Sequence, residues 1–576
     1  MDHSIEALAL HRQYLAPGEH DASDYFGLIR ELVARRQTNP VGTTGYQSWQ
    51  REIDAAYALL RDEIVTRKSP PRTPVSFGTS GWRGMLGKDF FGRSVRQVTL
   101  AIVTMYQELA DQKDLADALG ISSFEEAQQR GVVIGHDNRF AGDYFAQQAM
   151  AVLTSHGFRV HYAGEASTGV LSASVLVKKA AFSVNLTPSH NPLEYAGFKY
   201  NAADAGPAAA SITNRITELV REIMNQGHDC PDAGDAALIE PLDALACWFS
   251  LVKGAQNRHG LDYHTILGNL ARRDDYVLAV DCVHGASRVH IRRLLAGIPA
   301  NRLLLFRDNA DPTFGGIAPE PSAANLAAVT TALTARPEPL KLGAIIDPDA
   351  DRIRFTDGTA EIDMNMFGAM AYHFLHEGKG KKGMVAKTVA TSNFANAIAR
   401  ALGEDVFEPR VGFKEFKPVI GQALVCFEES DGISVIGHTP EKDAYIGLLL
   451  ALDMLNSRQQ NLGNYLAQLQ AEYGAYHPGR GGVTVNRQGD ELKKTLARLD
   501  RYTEGAVVTV NGRERAIRAV IAIDGRKMIF DDGSWLMIRP SGTEPKIRFY
   551  VEARTPDARE ALLEAAKAML GEIGLL

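Results

Sequence analysis

The sequence predicts an α/β protein with three related α/β domains, whose sheets are mixed and mostly parallel, followed by a smaller C-terminal α+β domain. Apolar runs alternate with amphipathic stretches of helical spacing from about residue 130 to about residue 460, as in parallel sheets covered on both faces. After about Tyr473 the pattern changes to short strand-like runs and one final helix, which favours an antiparallel unit. The length of 576 residues also exceeds what one hydrophobic core usually serves.

The predicted strands share one feature, which is that each ends at a polar loop. Open α/β sheets bind their ligands at such strand ends. The clearest of these apolar runs are 132–135, 181–186, 276–281 and 342–347.

Breaks in the pattern divide the chain into five segments. Residues 1–70 carry apolar residues at helical spacing and are followed by Ser69-Pro-Pro-Arg-Thr-Pro74, which interrupts a helix. The predicted units are an N-terminal helical extension (1–70), three α/β domains (71–210, 211–325 and 326–460) and a C-terminal α+β domain (470–576). The sequence assigns no function to the extension.

Composition excludes several classes of function. The formal net charge of −7 argues against nucleic-acid binding, which usually requires a basic excess, although local Arg and Lys residues still allow a small anionic ligand. The longest late apolar stretch, 446–452, stops at Asp453 and is too short to span a bilayer, so no membrane partner is expected. The four cysteines are scattered, and the first residues lack the basic-then-apolar order of a secretion signal. We expect a cytoplasmic protein, and both a monomer and a homodimer are compatible with the sequence.

The stretch Thr187-Pro-Ser-His-Asn-Pro192 directly follows a predicted strand. Its two prolines restrict the backbone around Ser189, and His190 stands beside the hydroxyl. A lone loop serine is more often a turn residue that bonds nearby amides. Whether Ser189 is a turn residue or a reactive nucleophile therefore depends on the other loops of the chain.

An acidic loop, Asp347-Pro-Asp-Ala-Asp-Arg352, follows a second apolar strand. Three carboxylates on alternate residues can converge on a hard cation such as Mg²⁺, which prefers oxygen ligands. An EF-hand would need Gly at the sixth position and Glu at the twelfth, and here these are Arg352 and Gly358. The EF-hand is excluded, and a magnesium site is predicted.

Two further loops suit a phosphorylated sugar. Glu428-Glu-Ser-Asp-Gly432 offers acceptors for sugar hydroxyls, although by itself it is also typical of a solvated loop. Arg539-Pro-Ser-Gly-Thr-Glu-Pro-Lys546 combines cationic and hydroxyl side chains with a glycine, a pattern that favours binding of a phosphate group.

Together these loops resemble the α-D-phosphohexomutase family, which includes phosphoglucomutase and phosphomannomutase, and they are most similar to phosphoglucomutase. The resemblance runs from about Val75 to the C-terminus and implies four domains around one central cleft. Residues 77–84 resemble the family's opening loop, 191–199 the stretch after the serine loop, and 411–414 a segment that supplies a basic residue.

The resemblance implies a phosphorylated Ser189 that gives its phosphoryl group to a sugar phosphate and recovers one from a hexose 1,6-bisphosphate, which serves as both intermediate and activator. Mg²⁺ is the implied cofactor, held by Ser189, Asp347, Asp349 and Asp351. The implied catalytic residues are Ser189, His190, Lys199, Lys414 and Arg83. The implied substrate-binding residues are Arg352, Glu428, Ser430, Arg539, Ser541, Gly542 and Thr543.

The residue that manages the hydroxyl proton stays open among Lys199, His190 and Lys414. A buried lysine near other cations can have its pKa lowered enough to act as a base.

The implied reaction interconverts glucose 1-phosphate and glucose 6-phosphate. Asp431 stands where phosphoglucomutases often carry a small or aromatic residue, so a phosphomannomutase or a dual-specificity mutase is the alternative. An aspartyl-nucleophile phosphatase using Asp347 and Asp349 is a third candidate, but it leaves the Ser189 and Arg539 loops unexplained. A non-catalytic sugar-phosphate-binding protein is the fourth.

Overall fold

The computed structural model describes residues 3–78, 81–227, 230–487, 489–541 and 546–576. They form an N-terminal helical extension, three domains that each contain a mixed β-sheet, and a fourth domain with an antiparallel sheet. This confirms the predicted fold class. Within these ranges, no helix is both long enough and apolar enough to cross a bilayer.

The extension consists of three helices that pack on the first domain. Asp24 caps the second helix by accepting a hydrogen bond from the amide of Gly27, and Thr43 caps the third. Buried residues such as Leu32 and Leu60 share one hydrophobic core with Phe145 of the first domain. The extension is therefore a part of that core. Its helices are α1 (His3–Tyr14), α2 (Tyr25–Gln37) and α3 (Thr44–Thr66).

The first domain has a six-stranded sheet in the order β1-β5-β4-β2-β3-β6. Its centre is parallel, and β5 and β1 add to one side as antiparallel strands. The fully buried strand β4 carries the run that leads into the serine loop. The elements are β1 (Trp82–Met85), α4 (Gly92–Gln107), α5 (Lys113–Leu119), α6 (Phe124–Arg130), β2 (Val132–His136), α7 (Gly142–Ser155), β3 (Val160–Glu165), α8 (Thr168–Lys178), β4 (Phe182–Leu186), β5 (Tyr195–Asn201), α9 (Ala210–Gln226) and β6 (Ile239–Pro241).

The second domain has a five-stranded sheet in the order β11-β10-β9-β7-β8. Strand β7 is parallel to both β8 and β9, whereas β10 returns antiparallel to β9. The elements are α10 (Ala244–His259), α11 (Tyr263–Ala271), β7 (Tyr276–Asp281), α12 (Ile291–Leu294), β8 (Leu303–Phe306), α13 (Ala323–Thr334), β9 (Leu340–Ile346), β10 (Ile353–Thr356) and β11 (Glu361–Ile362).

The third domain has a four-stranded sheet in the order β13-β12-β14-β15. Strand β12 is parallel to β13 and β14, and β15 is antiparallel to β14. Its buried helix α16 contacts β15 and also β9 of the second domain, so the two domains share one core. The elements are α14 (Met364–His373), β12 (Val385–Lys387), α15 (Phe394–Leu402), β13 (Val406–Phe407), β14 (Val425–Glu428), β15 (Gly432–Val435), α16 (Ala444–Arg458) and α17 (Leu462–Tyr473).

The fourth domain has a six-stranded sheet in the order β16-β21-β20-β19-β18-β17, and every neighbouring pair is antiparallel. One long helix packs on it. The elements are β16 (His477–Thr484), α18 (Gly489–Leu496), β17 (Val507–Val510), β18 (Arg513–Ile521), β19 (Arg526–Phe530), β20 (Trp535–Pro540), β21 (Lys546–Ala553) and α19 (Pro556–Glu572).

Two predicted domain boundaries do not follow the sheets. Helix α9, predicted in the second domain (211–325), packs on α4 of the first domain, and β6 is the edge strand of the first sheet. Strand β9, predicted in the third domain (326–460), pairs with β7 in the second sheet. A parallel crossover pairs strands that are far apart in sequence, so a pattern read along the chain does not identify the partner.

The same local arrangement recurs in all three mixed sheets. In each one, the loop that carries the predicted chemistry connects the central parallel strands to an antiparallel return strand, as in β4–β5, β9–β10 and β14–β15. Each connecting loop has one non-glycine residue with a left-handed backbone: Ser189 (φ 59°), Ala350 (φ 52°) and Asp431 (φ 71°). This conformation is costly for residues with a side chain and is found where the surroundings enforce it, often at functional sites.

Candidate active site

One cleft of about 530 Å³ is lined by residues from all four domains. The predicted site residues that line it are Arg83, His190, Arg352, Lys414, Glu428, Ser430, Arg539 and Ser541. Ser189, Lys199 and the three aspartates of the acidic loop are buried and bonded to one another. Gly542 and Thr543 lie outside the described residues.

Ser189 is held from both sides in the loop after β4. Its amide donates to Thr187 Oγ1 at 2.9 Å, and Thr187 Oγ1 donates to Asp137 Oδ2 at 2.6 Å. Its own Oγ donates to Asp347 Oδ2 at 3.1 Å and lies 3.4 Å from His190 Nδ1. The hydroxyl therefore lies directly at the acidic loop, although 158 residues separate the two in the sequence.

Arg139 supports the serine loop, although no local sequence pattern indicates it. Its buried guanidinium donates to the carbonyl oxygens of Ser189 (2.8 Å), Pro192 (2.9 Å) and Tyr195 (3.3 Å). Arg139 thus fixes the backbone of the turn at three positions. Nothing about an arginine in the loop after β2 distinguishes it locally, because its partners are about fifty residues away.

The three aspartates of the acidic loop are buried, and their ligand atoms lie within 4.8 Å of one another. Asp347 Oδ1 accepts the amides of Asp351 (3.0 Å) and Arg352 (3.1 Å), which curls the loop inward. In the part of the chain that the structure describes, Asp349 Oδ1 and Asp351 Oδ1 are buried without a hydrogen-bond partner. Burial and the two neighbouring carboxylates raise the pKa of Asp347 well above its usual value. Orphaned oxygens and mutual repulsion both fit a bound hard cation such as Mg²⁺.

Lys199, on β5, reaches into this carboxylate cluster from the first domain. Its Nζ lies 2.5 Å from Asp349 Oδ2 and 2.9 Å from Asp351 Oδ2. Burial disfavours its charged form, but the two carboxylates outweigh this effect and raise its pKa. For Lys199 the expectation of a lowered pKa is wrong, because the lysine is surrounded by anions rather than cations.

His190 has the opposite electrostatic environment. Burial and the nearby cations Arg352 and Arg83 lower its pKa well below the usual value. It is therefore neutral at neutral pH, and its protonated form is disfavoured in this environment. Arg83 lies on β1, and its Nε donates to the carbonyl oxygen of Pro188 at 3.2 Å.

The loop 428–431 presents Glu428 and Ser430 to the cleft. Ser430 Oγ donates to Glu428 Oε1 at 2.9 Å. Lys442, missed in the sequence, lies 3.6 Å from Glu428 and 3.5 Å from Asp351, so it bridges this loop and the acidic loop. Its position directly before a helix in Glu441-Lys442-Asp443 is the one local signal that could have identified it.

Asp431 turns away from the cleft, and it is not among the lining residues. Its carboxylate pairs with Arg354 of β10 at 2.8 Å, and its backbone oxygen accepts the amide of Ile353 at 3.0 Å. Asp431 thus anchors the 428–431 loop to the strand that follows the acidic loop.

The opposite wall of the cleft belongs to the hairpin of β20 and β21. Arg539 and Arg548 are directly opposite each other in the strand register, and both line the cleft with Ser541 and Lys546. Arg539 Nε is 3.0 Å from Asp524 Oδ2, which also accepts the amide of Val411 at 3.0 Å. Asp524 therefore orients Arg539 and joins the fourth domain to the segment that carries Lys414. This wall is cationic, whereas the acidic loop is anionic.

Profiles of the phosphoglucomutase/phosphomannomutase family match the chain in four consecutive segments. They are alpha/beta/alpha domain I (74–227), alpha/beta/alpha domain II (263–360), alpha/beta/alpha domain III (363–473) and the C-terminal domain (485–568). The acidic loop lies in the segment that matches domain II.

Several known proteins are similar over most of their length. A phosphoglucomutase of Rhizobium radiobacter is 26% identical over 554 residues, which cover 88% of this chain and 95% of the relative. A probable phosphomannomutase of Haemophilus influenzae is 25% identical over 460 residues, covering 75% of this chain and 90% of the relative. The crystal structure of a putative phosphomannomutase from Thermus thermophilus superposes with a TM-score of 0.69 at 26% identity, covering 87% of this chain and 99% of that one.

The family matches extend over all four domains in the order found in the fold. The alignments with the relatives named as mutases cover nearly the whole length of those relatives. The chain is therefore a member of the phosphoglucomutase/phosphomannomutase family and an enzyme of its phosphotransferring mutase class.

Proposed function

We propose that this enzyme interconverts glucose 1-phosphate and glucose 6-phosphate through phosphorylated Ser189 and a hexose 1,6-bisphosphate. The observation that carries the proposal is the contact of Ser189 Oγ with Asp347 at 3.1 Å, at one end of a cleft whose opposite wall is cationic. A sugar with two phosphates has one anion for each end of such a cleft.

At the serine end, phosphoryl transfer requires in-line placement and neutralisation of charge. Asp347, Asp349 and Asp351 would hold Mg²⁺, which when bound supplies positive charge to the phosphoryl oxygens. Arg139 and Thr187 hold the serine turn in place. Arg83 and Arg352 add fixed positive charge where the serine loop borders the cleft.

The transfer has two half-reactions that balance. A sugar hydroxyl gives up its proton and attacks the phosphorus on Ser189, the bond from phosphorus to Oγ breaks, and Oγ takes up a proton. After the bisphosphate turns end for end, Ser189 Oγ gives up its proton and attacks the other phosphate, the bond from that phosphorus to the sugar oxygen breaks, and the sugar oxygen takes up a proton. We assign the proton transfer at Oγ to His190, whose Nδ1 lies 3.4 Å away.

At the distal end, Arg539, Ser541, Lys546 and Arg548 would bind the phosphate that is not being transferred. Glu428 and Ser430 would accept and donate hydrogen bonds to sugar hydroxyls between the two ends. Gly542 and Thr543 stay predictions of the same phosphate site. Lys414 lines the cleft beside this wall and is a further candidate contact for the sugar phosphate.

An aspartyl nucleophile is disfavoured by the bonding of Asp347. One of its oxygens accepts two backbone amides, and the other accepts the Ser189 hydroxyl. Transfer of radiolabelled phosphate to the enzyme separates the two mechanisms, because an acyl phosphate is lost in mild base and a phosphoserine is retained. Label that is lost in base would contradict the serine mechanism.

Two assays test the proposal. A coupled assay of glucose 1-phosphate conversion to glucose 6-phosphate distinguishes the mutase from a non-catalytic sugar-phosphate-binding protein. A comparison of kcat/KM for the 1-phosphates of glucose, mannose and N-acetylglucosamine then tests the substrate. A preference for mannose, or equal values, would favour the phosphomannomutase or dual-specificity alternative.

We also propose that the enzyme works in the cytoplasm on a small sugar phosphate. A probable phosphoglucomutase of Arabidopsis thaliana and a phosphoglucomutase of Mesembryanthemum crystallinum are both named as cytoplasmic. Cys247, Cys282 and Cys426 are buried thiols, as expected of a reducing compartment. Cell fractionation of a tagged chain is the direct test.

A further inference from the structure

The N-terminal extension, α1 to α3, precedes the first segment that matches the family, which begins at residue 74. In the described part of the chain, none of its side chains lines the catalytic cleft. It nevertheless contacts two domains, because α2 packs against a turn of the second domain as well as the first-domain core.

Arg36 makes the charged part of the contact with the second domain. Its Nη2 donates to Asp311 Oδ2 at 2.9 Å and to Thr313 Oγ1 at 3.1 Å, while Nη1 donates to Gln50 Oε1 of α3 at 2.5 Å. Arg36 is 3% exposed and Asp311 9%. A buried ion pair with this many bonds fixes the relative position of its two elements, and removing one partner is costly.

The turn that Arg36 grips, 311–316, has an unusual backbone. Phe314, Gly315 and Gly316 are consecutive residues with left-handed angles of φ 53°, 62° and 78°. For a bulky residue such as Phe314 this conformation is strained, and it persists only where the surroundings over-determine it.

The extension supplies those surroundings on one side. Gln37 Nε2 donates to the carbonyl oxygen of Gly315. A Cβ at Gly316 would lie 2.9 Å from Val33 Cγ1, so helix α2 approaches the turn as closely as a glycine allows.

On its other side the turn contacts the support of the serine loop. The guanidinium of Arg139 lies 4.9 Å from the centroid of the buried Phe314 ring, and Asn138 Nδ2 donates to the carbonyl oxygen of Asp311 at 3.3 Å. Arg139 is the side chain that binds the carbonyl oxygens of Ser189, Pro192 and Tyr195. A continuous set of contacts therefore runs from Arg36 through Phe314 and Arg139 to Ser189.

We propose that the extension is a positioning element for catalysis, in which Arg36 holds the 311–316 turn against Arg139 and thereby fixes the serine loop. The inference rests on the proposed role of Ser189. The inference assigns a function to the N-terminal extension, for which the sequence alone predicts none. Arg36 acts through other residues and does not contact substrate.

The test compares Arg36→Met with Arg35→Met, two substitutions of neighbouring arginines on α2. Arg35 pairs with Glu6 and Glu31 inside the extension, at 2.6 and 3.2 Å, and so serves as the matched control. For Arg36→Met we expect kcat to fall about tenfold or more, because small misplacements of reacting groups are costly. The KM should stay within about twofold of wild type, because the sugar-binding residues are untouched. Arg35→Met should match wild type in both constants.

The lifetime of phosphorylated Ser189 in water is a second readout, one that overall stability does not set. A loosened serine loop should hydrolyse its phosphate faster relative to transfer in Arg36→Met, and Arg36→Lys should restore part of the difference. A folded Arg36→Met enzyme with wild-type kcat and phosphoserine lifetime would overturn the inference.

Thr313→Val removes the hydrogen bond of Arg36 from the side of the second domain, and it tests the positioning role if Arg36→Met does not fold. We expect a smaller fall in kcat with an unchanged KM, because the ion pair of Arg36 with Asp311 remains, and wild-type kinetics in this variant would overturn the inference. The wild-type enzyme separates the two proposals. If it isomerises glucose 1-phosphate and neither variant differs from it, only the positioning role is lost. If it is never phosphorylated on Ser189, the proposed function fails as well.

Discussion

The two ends of the cleft differ in charge, in burial and in the number of domains that build them. Ser189 and Asp347 are buried, and they are held by groups from the first and second domains. Arg539 and Arg548 are half-buried on one hairpin of the fourth domain. Under the proposed function this difference separates two tasks, because bond making requires fixed geometry whereas the distal site must accept either phosphate of a sugar that turns end for end.

The largest effect is expected at the buried end. Ser189→Ala should remove nearly all mutase turnover and leave folding intact, because one loop hydroxyl contributes little to a hydrophobic core. Turnover in a coupled assay and the unfolding midpoint measure the two effects. The control Ser155→Ala removes an exposed hydroxyl at the end of α7, which does not line the cleft, and should leave turnover at the wild-type value. Substantial activity of Ser189→Ala without an added phosphate donor would contradict the serine mechanism.

A second effect at the buried end concerns the acidic loop. Chelation by EDTA should abolish activity and Mg²⁺ should restore it, and Asp349→Asn should weaken metal binding because it removes one anionic ligand. Isothermal titration with Mg²⁺ measures the affinity. Asp308→Asn, which breaks a surface ion pair with Arg292, is the control and should bind Mg²⁺ as wild type does. Full activity in chelator would show that the acidic loop has another purpose.

At the distal end we expect a smaller effect, which should fall on binding. Arg539→Ala deletes a charge-assisted contact that contributes about 1.5–3 kcal/mol, so the KM for the sugar phosphate should rise about tenfold to a hundredfold. Phosphorylation of Ser189 by the bisphosphate should suffer less than isomerisation.

Asp524→Asn sharpens this prediction, because Asp524 orients Arg539 without lining the cleft. Its KM should rise by less than that of Arg539→Ala. Arg559→Ala, an arginine of α19 paired with Glu560, is the control. An unchanged KM in Arg539→Ala would remove the distal phosphate site from the proposal.

The smallest effect concerns how the distal domain is attached. Glu408 lies 3.1 Å from Lys387 of the third domain and 3.2 Å from Lys527 of the fourth. Burial opposes its charge, but the two lysines outweigh burial and lower its pKa to about 2. Because the folded pKa lies below the unfolded value of 4.5, the stabilisation is complete above pH 4.5 and is lost as the pH falls toward 2.

Thermal unfolding tests this attachment. The melting temperature of Glu408→Gln should be lower than that of wild type at neutral pH, and the difference should shrink below about pH 4.5. A difference at pH 3 as large as the one at neutral pH would mean that the charge of Glu408 is not what joins the domains. Burial and Lys387 also lower the pKa of Lys527 to about 8. The charged form of Lys527 is therefore unfavourable in the folded protein and lowers stability below about pH 8, and stability should rise with pH between about 8 and 10.5.

The local sequence was sufficient to find the four loops and the fold class. A strand followed by a turn is contiguous in the chain, so apolar runs, prolines and alternate carboxylates locate the Ser189 loop, the acidic loop and the Arg539 loop. Only the loops taken together indicate a role for Ser189. The antiparallel C-terminal domain followed from the same kind of pattern.

Contacts between distant segments were decided by the tertiary structure alone. Lys199 meets Asp349 across 150 residues, and Arg36 meets Asp311 across 275. The same packing placed the acidic loop in the second sheet and turned Asp431 away from the cleft. The physical reason is that the charge and pKa of a buried group depend on which neighbours packing brings to it. Residues that meet across domains have no fixed separation in the sequence, so no local pattern identifies them as partners.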